Sequence, residues 1–199
     1  MEKLDFKKNY KEYYTARQIP KMVHFGRTSH ITLEGKGEPG GVQFTSAVGL
    51  LYPVAYAIKK ICKLEGRDFG VPPLEGLWWT EDGKPASEIP RNEWLWKLMI
   101  RIPDYANIDY LKQAIEEVVK KKNLPDAKKI KWEILSEGKC VQAMHIGPYS
   151  TEDETLKKMR QFINENKFKI NGLHHEIYLS DPRKVSPEKI KTIIRQPVK

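Results

Sequence analysis

Cysteine is scarce: the chain has two, Cys62 and Cys140, among 199 residues. Two thiols make neither a disulfide framework nor a four-ligand zinc site. Cys62 sits in a helical pattern and reads as a small core residue; Cys140 lies near a turn. Long apolar runs are missing too, and a membrane-spanning helix needs about 18 such residues. The opening Met1-Glu2-Lys3-Leu4-Asp5 lacks the apolar stretch of a secretory signal, so a cytoplasmic location without membrane contact is expected. The glycines at Gly35-Lys36-Gly37 precede no Gly-Lys-Ser/Thr and fit no dinucleotide fingerprint. No serine stands on a Gly-x-Ser-x-Gly turn, which removes the commonest nucleophile elbow. His174 and His175 are adjacent on a strand and so face opposite sides; His24, His30 and His145 lie far off in sequence. No metal and no cofactor are expected.

What is abundant is basic charge. Lys and Arg outnumber Asp and Glu by 35 to 26, a formal net charge of +9. The basic residues are nevertheless spread along the chain. The densest clusters, Lys120 to Lys122 and Lys128, Lys129 and Lys131, flank a helix end, where cations complement the dipole. Neither a helix-turn-helix nor a zinc-finger pattern is present, so a solvated basic surface is expected rather than direct nucleic-acid binding. At 40% hydrophobic and 31% charged, the chain can bury a core and stay dissolved.

The hydrophobic pattern predicts an α+β fold. Residues 1–20 form an arm whose Phe6, Tyr10, Tyr13 and Tyr14 pack on the body. A strand from Met22 to Leu33 leads to a helix over Val42–Leu64, with Phe44, Val48, Leu51, Ala55, Ile58 and Cys62 recurring at threes and fours. Pro53 should kink that helix, with Tyr52 and Tyr56 one turn apart on its flank. Strands follow near Leu74–Thr80 and Glu93–Pro103, then a helix from Asp109 to Lys122. Further on, Lys129–Leu135 and Cys140–Ile146 read as two strands joined by a Ser136–Lys139 hairpin. Thr151 with Glu154 predicts a capping box for a helix to about Lys167. A strand around Ile177, a short turn at 185–190 and a last strand over Thr192–Val198 close the chain. The order strand, helix, strand, strand occurs twice. The expected architecture is therefore two tandem modules with pseudo-twofold symmetry, antiparallel sheets with helices on one face, and a ligand cleft between the modules. The first repeat spans 21–104, the connecting helix 105–127 and the second repeat 128–199, all one domain.

The most informative stretch is Gly172-Leu173-His174-His175-Glu176-Ile177-Tyr178-Leu179-Ser180-Asp181-Pro182. Alternation puts Glu176, Tyr178 and Ser180 on one face and His175, Ile177 and Leu179 on the other. A similar stretch, Pro72-Pro73-Leu74-Glu75-Gly76-Leu77-Trp78-Trp79-Thr80, lies about a hundred residues earlier. Glu75, Leu77 and Trp79 share a face there. Internal repetition suggests that Glu75 and Glu176 face one shared space. A carboxylate among tryptophans and tyrosines suits a planar, lipophilic or cationic compound, or acid-base work on one. Trp78, Trp79, Tyr52, Tyr56, Tyr149, Trp132 and Glu75 are the candidate ligand contacts. Which of Trp78 and Trp79 faces the ligand is open, because neighbours on a strand point apart.

These two stretches, the His145-Ile146-Gly147-Pro148-Tyr149 turn and the closing Arg195-Gln196-Pro197-Val198 together resemble the GyrI-like small-molecule-binding family, in its stand-alone branch. The likeness spans nearly the whole chain, from Lys3-Leu4-Asp5-Phe6 onward. It implies the two-module fold with a cleft for bulky ligands, and it implies that the glutamate matching Glu176 is the central polar group. Relatives serve as effector domains of multidrug-responsive activators or inhibit DNA gyrase. Some stand-alone members add water to the cyclopropane of cyclopropanoid DNA-alkylating toxins. Binding of drug-like molecules is the first expectation, without an attached DNA-binding unit. Hydrolysis with Glu176 as general base and Tyr178 steadying the oxyanion is the alternative, and a protective contact with a protein such as gyrase is the third. The sequence leaves the oligomeric state open.

Overall fold

The computed structural model describes residues 3–84 and 86–199. Among them are two short helices, α1 (Phe6–Asn9) and α2 (Lys11–Tyr14), then β1 (Lys21–Lys36), α3 (Val42–Leu64), β2 (Leu74–Trp79), β3 (Leu95–Ile102) and α4 (Ile108–Lys122). The second half runs β4 (Lys131–Ile146), α5 (Glu152–Glu165), β5 (His174–Tyr178) and β6 (Lys191–Pro197). Strand, helix, strand, strand is thus the order on both sides of α4. The strands do not form separate sheets. They close into one six-stranded antiparallel barrel in the order β1-β3-β2-β5-β6-β4. The sequence Glu81-Asp82-Gly83-Lys84-Pro85, which reads as a turn, reaches outside the described residues, as does the Met1-Glu2 start.

Two expectations change. The predicted Ser136–Lys139 hairpin is not a reversal: β4 passes through it as one strand paired with β1 from Gln142 to Lys131. Gly138 does take the left-handed backbone that the turn signal implied, at φ 66°. The kink is absorbed because β1 runs alongside throughout and supplies hydrogen-bond partners on both sides of it. Its effect is to reset the alternation of side chains. Glu137 and Gln142, an odd number of residues apart, both reach the same buried Arg195. Phe25 and His30 on β1 likewise both turn inward, Phe25 onto Arg195 and His30 toward Glu75. Thr151 also differs from its expected role. It makes no capping bond to α5; its hydroxyl donates to the Pro148 carbonyl at 2.8 Å.

α3 forms where the apolar stripe predicted, burying Leu51, Val54, Ala55, Ile58 and Cys62. Fully burying such side chains stabilises by roughly 1.5–3 kcal/mol each for the larger ones. The helix is assigned continuously through Pro53. α4 starts on Asn107, whose side chain accepts from the backbone of Asp109 and Tyr110, and stops at Asn123 in the left-handed region. Outside the barrel, α3 packs on β1, β3 and α4, and α5 packs on β4. No described helix is long and apolar enough to cross a membrane.

Inside the barrel, beside buried apolar side chains such as Ile177 and Ile193, lies an ionic cluster. Glu75 on β2 and His175 on β5 are both wholly buried, with Nε2 to Oε2 at 3.0 Å. The other imidazole nitrogen of His175 meets Glu137 of β4 at 2.9 Å, and Arg195 of β6 donates to Glu137 at 2.9 Å. β4 and β5 are not neighbours in the barrel order, so these contacts cross its bore. The N-terminal arm seals one end. Tyr13 donates to Glu75 at 2.7 Å, Tyr14 bonds it at 3.5 Å, and the Tyr13 carbonyl accepts from Arg195 at 3.0 Å. Arg101 lies 4.0 Å from the Tyr10 ring centre.

Burial works against each of these charges, but the partners win. His175 is pushed up to about 9 by Glu137 and Glu75 against the desolvation that lowers it. Glu137 is held at about 2 by His175 and Arg195, and Glu75 lower still by His30 and His175, against the desolvation that raises both. The signs define a stability window. A raised histidine contributes fully below its ordinary 6.5 and loses that contribution as pH rises through about 9. Depressed carboxylates contribute fully above 4.5 and lose it in acid. The melting temperature should therefore be highest between pH 4.5 and 6.5 and fall on both sides. Removing one charge, as in Glu75→Gln, should cost about 3–5 kcal/mol in chemical denaturation, because the buried cations His175 and Arg195 are then left to share the single carboxylate of Glu137. A flat melting profile from pH 5 to 10 would contradict this arrangement.

Candidate functional site

The register of β2 against β5 decides what faces outward. Gly76 lies opposite Glu176 and Trp78 opposite His174; Glu75 lies opposite Ile177 and Leu77 opposite His175. Cross-strand partners share a face. Glu176, Tyr178, Trp78 and Gly76 are therefore together on the barrel's outer wall, in the strip between α3 and α5. Glu75 is on the inner wall, wholly buried. The expected shared space for the two glutamates is thus not found, because the barrel wall separates them. Trp78, not Trp79, is on the Glu176 side.

The outer strip is lined with rings. Phe44 of α3 stacks on Trp78 with centroids 5.9 Å apart and planes at 14°, and Trp94 meets Trp78 edge-on at 6.1 Å. Trp78 donates its indole N–H to the Tyr178 hydroxyl at 2.9 Å. Tyr149, on the turn before α5, packs edge-on against Tyr178 at 6.0 Å. Gly76 makes this arrangement fit: a Cβ there would sit 3.0 Å from the Tyr178 oxygen and 3.1 Å from the Trp78 nitrogen. Glu176, with 12% of its side chain exposed, bonds His174 Nε2 at 2.9 Å.

One acidic neighbour had no motif to announce it. Glu152, the first residue of α5, has a buried Oε1 with no hydrogen-bond partner among the described residues. Desolvation and then the negative charge of Glu176 push its carboxyl far above the usual range. Tyr178 and Tyr149 are raised by burial first and by Glu176 next, Tyr149 to about 12. Both phenols hold their protons at neutral pH. The signal that could have found Glu152 is its position three residues after Tyr149, across the turn that starts α5.

The remaining candidates lie elsewhere. Tyr52 and Tyr56 pair at 6.5 Å on α3 and line a recess of about 400 Å³ between α3 and α4, with Pro53, Lys60, Val118 and Lys121. Tyr52 also feels Asp181 and Arg183 beyond β5, which puts it nearer the strip than Tyr56, 56% exposed. Trp132 sits on β4 opposite Ile31 of β1, on a strand that does not adjoin β5. Trp79 is half-buried at the end of β2. No group of three or more potential metal ligands is found among the described residues.

A small antiparallel barrel with an acid among stacked rings on its outer wall has the features of a small-molecule receptor domain. The family model for the GyrI-like small-molecule-binding domain matches residues 34–199, and the chain belongs to that family. Its fold is close to that of a conserved protein from Listeria innocua, at TM-score 0.92 and 41% identity over 99% of this chain and 100% of that one. It is also close to a Listeria innocua hydrolase, at TM-score 0.90 and 39% identity over the full length of both. The C-terminal domain of the regulator EcmrR shares the fold at TM-score 0.59 and 13% identity, covering 90% of this chain and 96% of that one. No curated protein matches this chain.

Gly76→Ala should place its methyl against both polar atoms of the Trp78–Tyr178 bond. An overpacking cost of about 1–3 kcal/mol and a changed tryptophan emission are expected. Unchanged emission with unchanged stability would mean the two rings are not held together as described.

Proposed function

We propose that this chain is a hydrolase for bulky, flat organic molecules, which it takes between its two halves on the outer wall of β2 and β5. In this reading the strand-helix-strand-strand halves are related by a pseudo-twofold axis. The strip between α3 and α5 is the cleft. The reading rests on one observation above the rest: an acid, Glu176, is set among Trp78, Tyr149 and Tyr178 beside a second acid, Glu152, whose buried Oε1 has no hydrogen-bond partner among the described residues and whose proton affinity is raised by burial and then by Glu176. A receptor that only stacks on its ligand has no use for a second, buried carboxyl beside the first, whereas acid-base chemistry does. The hydrolase of Listeria innocua at 39% identity supports the same choice.

The substrate class that the family likeness implies is a strained cyclopropane joined at a spiro carbon to a conjugated ring ketone. Glu176 takes a proton from a water molecule, and the water oxygen bonds to the cyclopropane methylene. The ring carbon–carbon bond breaks, and its electron pair moves through the conjugated ring to the ketone oxygen. Trp78 and Tyr149 hold the flat ring system by stacking. Tyr178, anchored by Trp78, fixes the Glu176 side of the cleft. His174 orients the Glu176 carboxyl.

A second reading, capture of lipophilic cations without turnover, is favoured by the same rings, whose faces attract cations beside a carboxylate. The two readings separate in one experiment. A spirocyclopropyl dienone is incubated with the natural protein and with Glu176→Gln, and loss of the dienone absorbance is followed. Hydrolysis predicts turnover by the natural protein and a fall of at least about 100-fold in the variant, the usual contribution of a general base. If neither protein consumes the dienone but rhodamine 6G stabilises the natural protein, and Glu176→Gln less, in a thermal-shift assay, hydrolysis is wrong and capture stands. Equal turnover by both proteins would remove Glu176 from the mechanism.

A further inference from the structure

The hydrolytic reading leaves a proton unaccounted for. When the cyclopropane opens, the ketone oxygen gains an electron pair and must be protonated. Tyr178 is poorly placed to supply that proton. Its hydroxyl already accepts from Trp78 at 2.9 Å, and burial first, then the Glu176 charge, raise its proton affinity well above the ordinary value. Tyr149 is pushed up to about 12, by burial first and then by Glu176, and is a weak acid at neutral pH. Apart from His174, whose Nε2 is taken up by Glu176, the remaining acid in the strip among the described residues is Glu152.

Three features single it out. Its Oε1 is buried and bonded to nothing among the described residues, although buried carboxyl oxygens almost always have partners. It comes from the N-terminus of α5, the opposite side of the strip from the strand that carries Glu176. It also sits one turn from Tyr149, which packs on Tyr178. We propose that Glu152 is the general acid of this site, giving its proton to the ketone oxygen while Glu176 takes one from water. The balance closes. Water loses one proton to Glu176, Glu152 gives one to the oxygen, and the product is the ring-opened phenol carrying a new hydroxyl. Transfer of the proton from Glu176 back to Glu152 restores the resting pair.

The surroundings favour a protonated Glu152. Glu176 and Tyr178 face it from β5, Tyr149 from the turn before α5, Asp153 from its own helix and Arg91 from the turn before β3. Burial comes first, then Glu176 and Asp153, all raising its proton affinity; Arg91 opposes them. The N-terminal dipole of α5 also favours the ionised form, and burial outweighs it.

This inference rests on the hydrolytic reading, and its test separates the two. Dienone turnover is measured from pH 6 to 10 for the natural protein, Glu152→Gln and Glu152→Asp. An acid whose proton is lost as pH rises predicts a falling alkaline limb in kcat/KM for the natural protein. Glu152→Gln should lose at least about tenfold in kcat with its KM little changed and should lack that limb, while Glu152→Asp should recover part of the rate. Carbon-13 labelling of the glutamate carboxyls gives a readout independent of turnover. One carboxyl absent from the Glu152→Gln spectrum should titrate above neutrality and move down in Glu176→Gln. Activity in Glu152→Gln within twofold of natural, with the limb intact, would overturn the proposal while leaving hydrolysis standing. So would a Glu152 carboxyl titrating near the ordinary value of about 4.3. A natural protein that consumes no dienone overturns both.

Discussion

The His175 imidazolium, held between two carboxylates inside a closed barrel, is the constraint on which the rest of the structure depends. Each nitrogen has its own anion, Glu75 at 3.0 Å and Glu137 at 2.9 Å. Those anions come from β2 and β4, so one side chain fixes three strands relative to one another across the bore. Arg195 adds β6 through Glu137, and Tyr13 adds the N-terminal arm through Glu75. Replacing such a network with well-packed apolar residues is often neutral or stabilising in other proteins. Its value here lies in geometry. Directional hydrogen bonds between named partners add to the register that alternation of buried and exposed side chains already favours.

That register is what creates the outer site. His175 and Glu176 are consecutive, so fixing one inward fixes the other outward. Gly76 falls opposite Glu176 for the same reason, and the missing Cβ lets Trp78 and Tyr178 meet. A slip of one residue in β5 would place Glu176 among the buried charges and His175 in the strip. The ionic core and the candidate site are thus two faces of one strand pairing.

The sequence was legible where periodicity governs. α3, α4, the aromatic strands and the family likeness followed from apolar spacing and a handful of short motifs. It was also legible that Glu176 and Tyr178 share a face, since that needs only alternation within one strand. Three things were not. Barrel closure was hidden because the pairings that close it join residues far apart in the chain. The pairing of Glu75 with Glu176 failed for a related reason: two strands with the same local pattern pair antiparallel, and the offset of that pairing, which no short motif encodes, put Gly76 rather than Glu75 opposite Glu176. The Ser136–Lys139 hairpin misled because Gly138 does adopt a turn-like backbone. Local signals cannot say whether such a residue reverses the chain or, as here, rotates Glu137 into the core. Glu152 escaped notice because an acid in the first turn of a helix is ordinary helix chemistry; only its burial beside Glu176 sets it apart.

The proposed site draws its parts from structures of different rigidity, and that division bears on how a ligand enters. Trp78, Glu176 and Tyr178 stand on paired strands and are tied by hydrogen bonds to one another or to His174. Strand-borne groups keep their positions better than groups on turns. Tyr149 is on a turn of three residues, and its recorded ring partner is Tyr178, against which it packs edge-on at 6.0 Å without a hydrogen bond. Moving Tyr149 aside breaks no polar contact recorded for it, whereas moving Trp78 breaks its bond to Tyr178. Tyr149 is therefore the ring of the proposed site that can shift most freely to stack on a flat molecule, while Trp78 and Tyr178 hold their places.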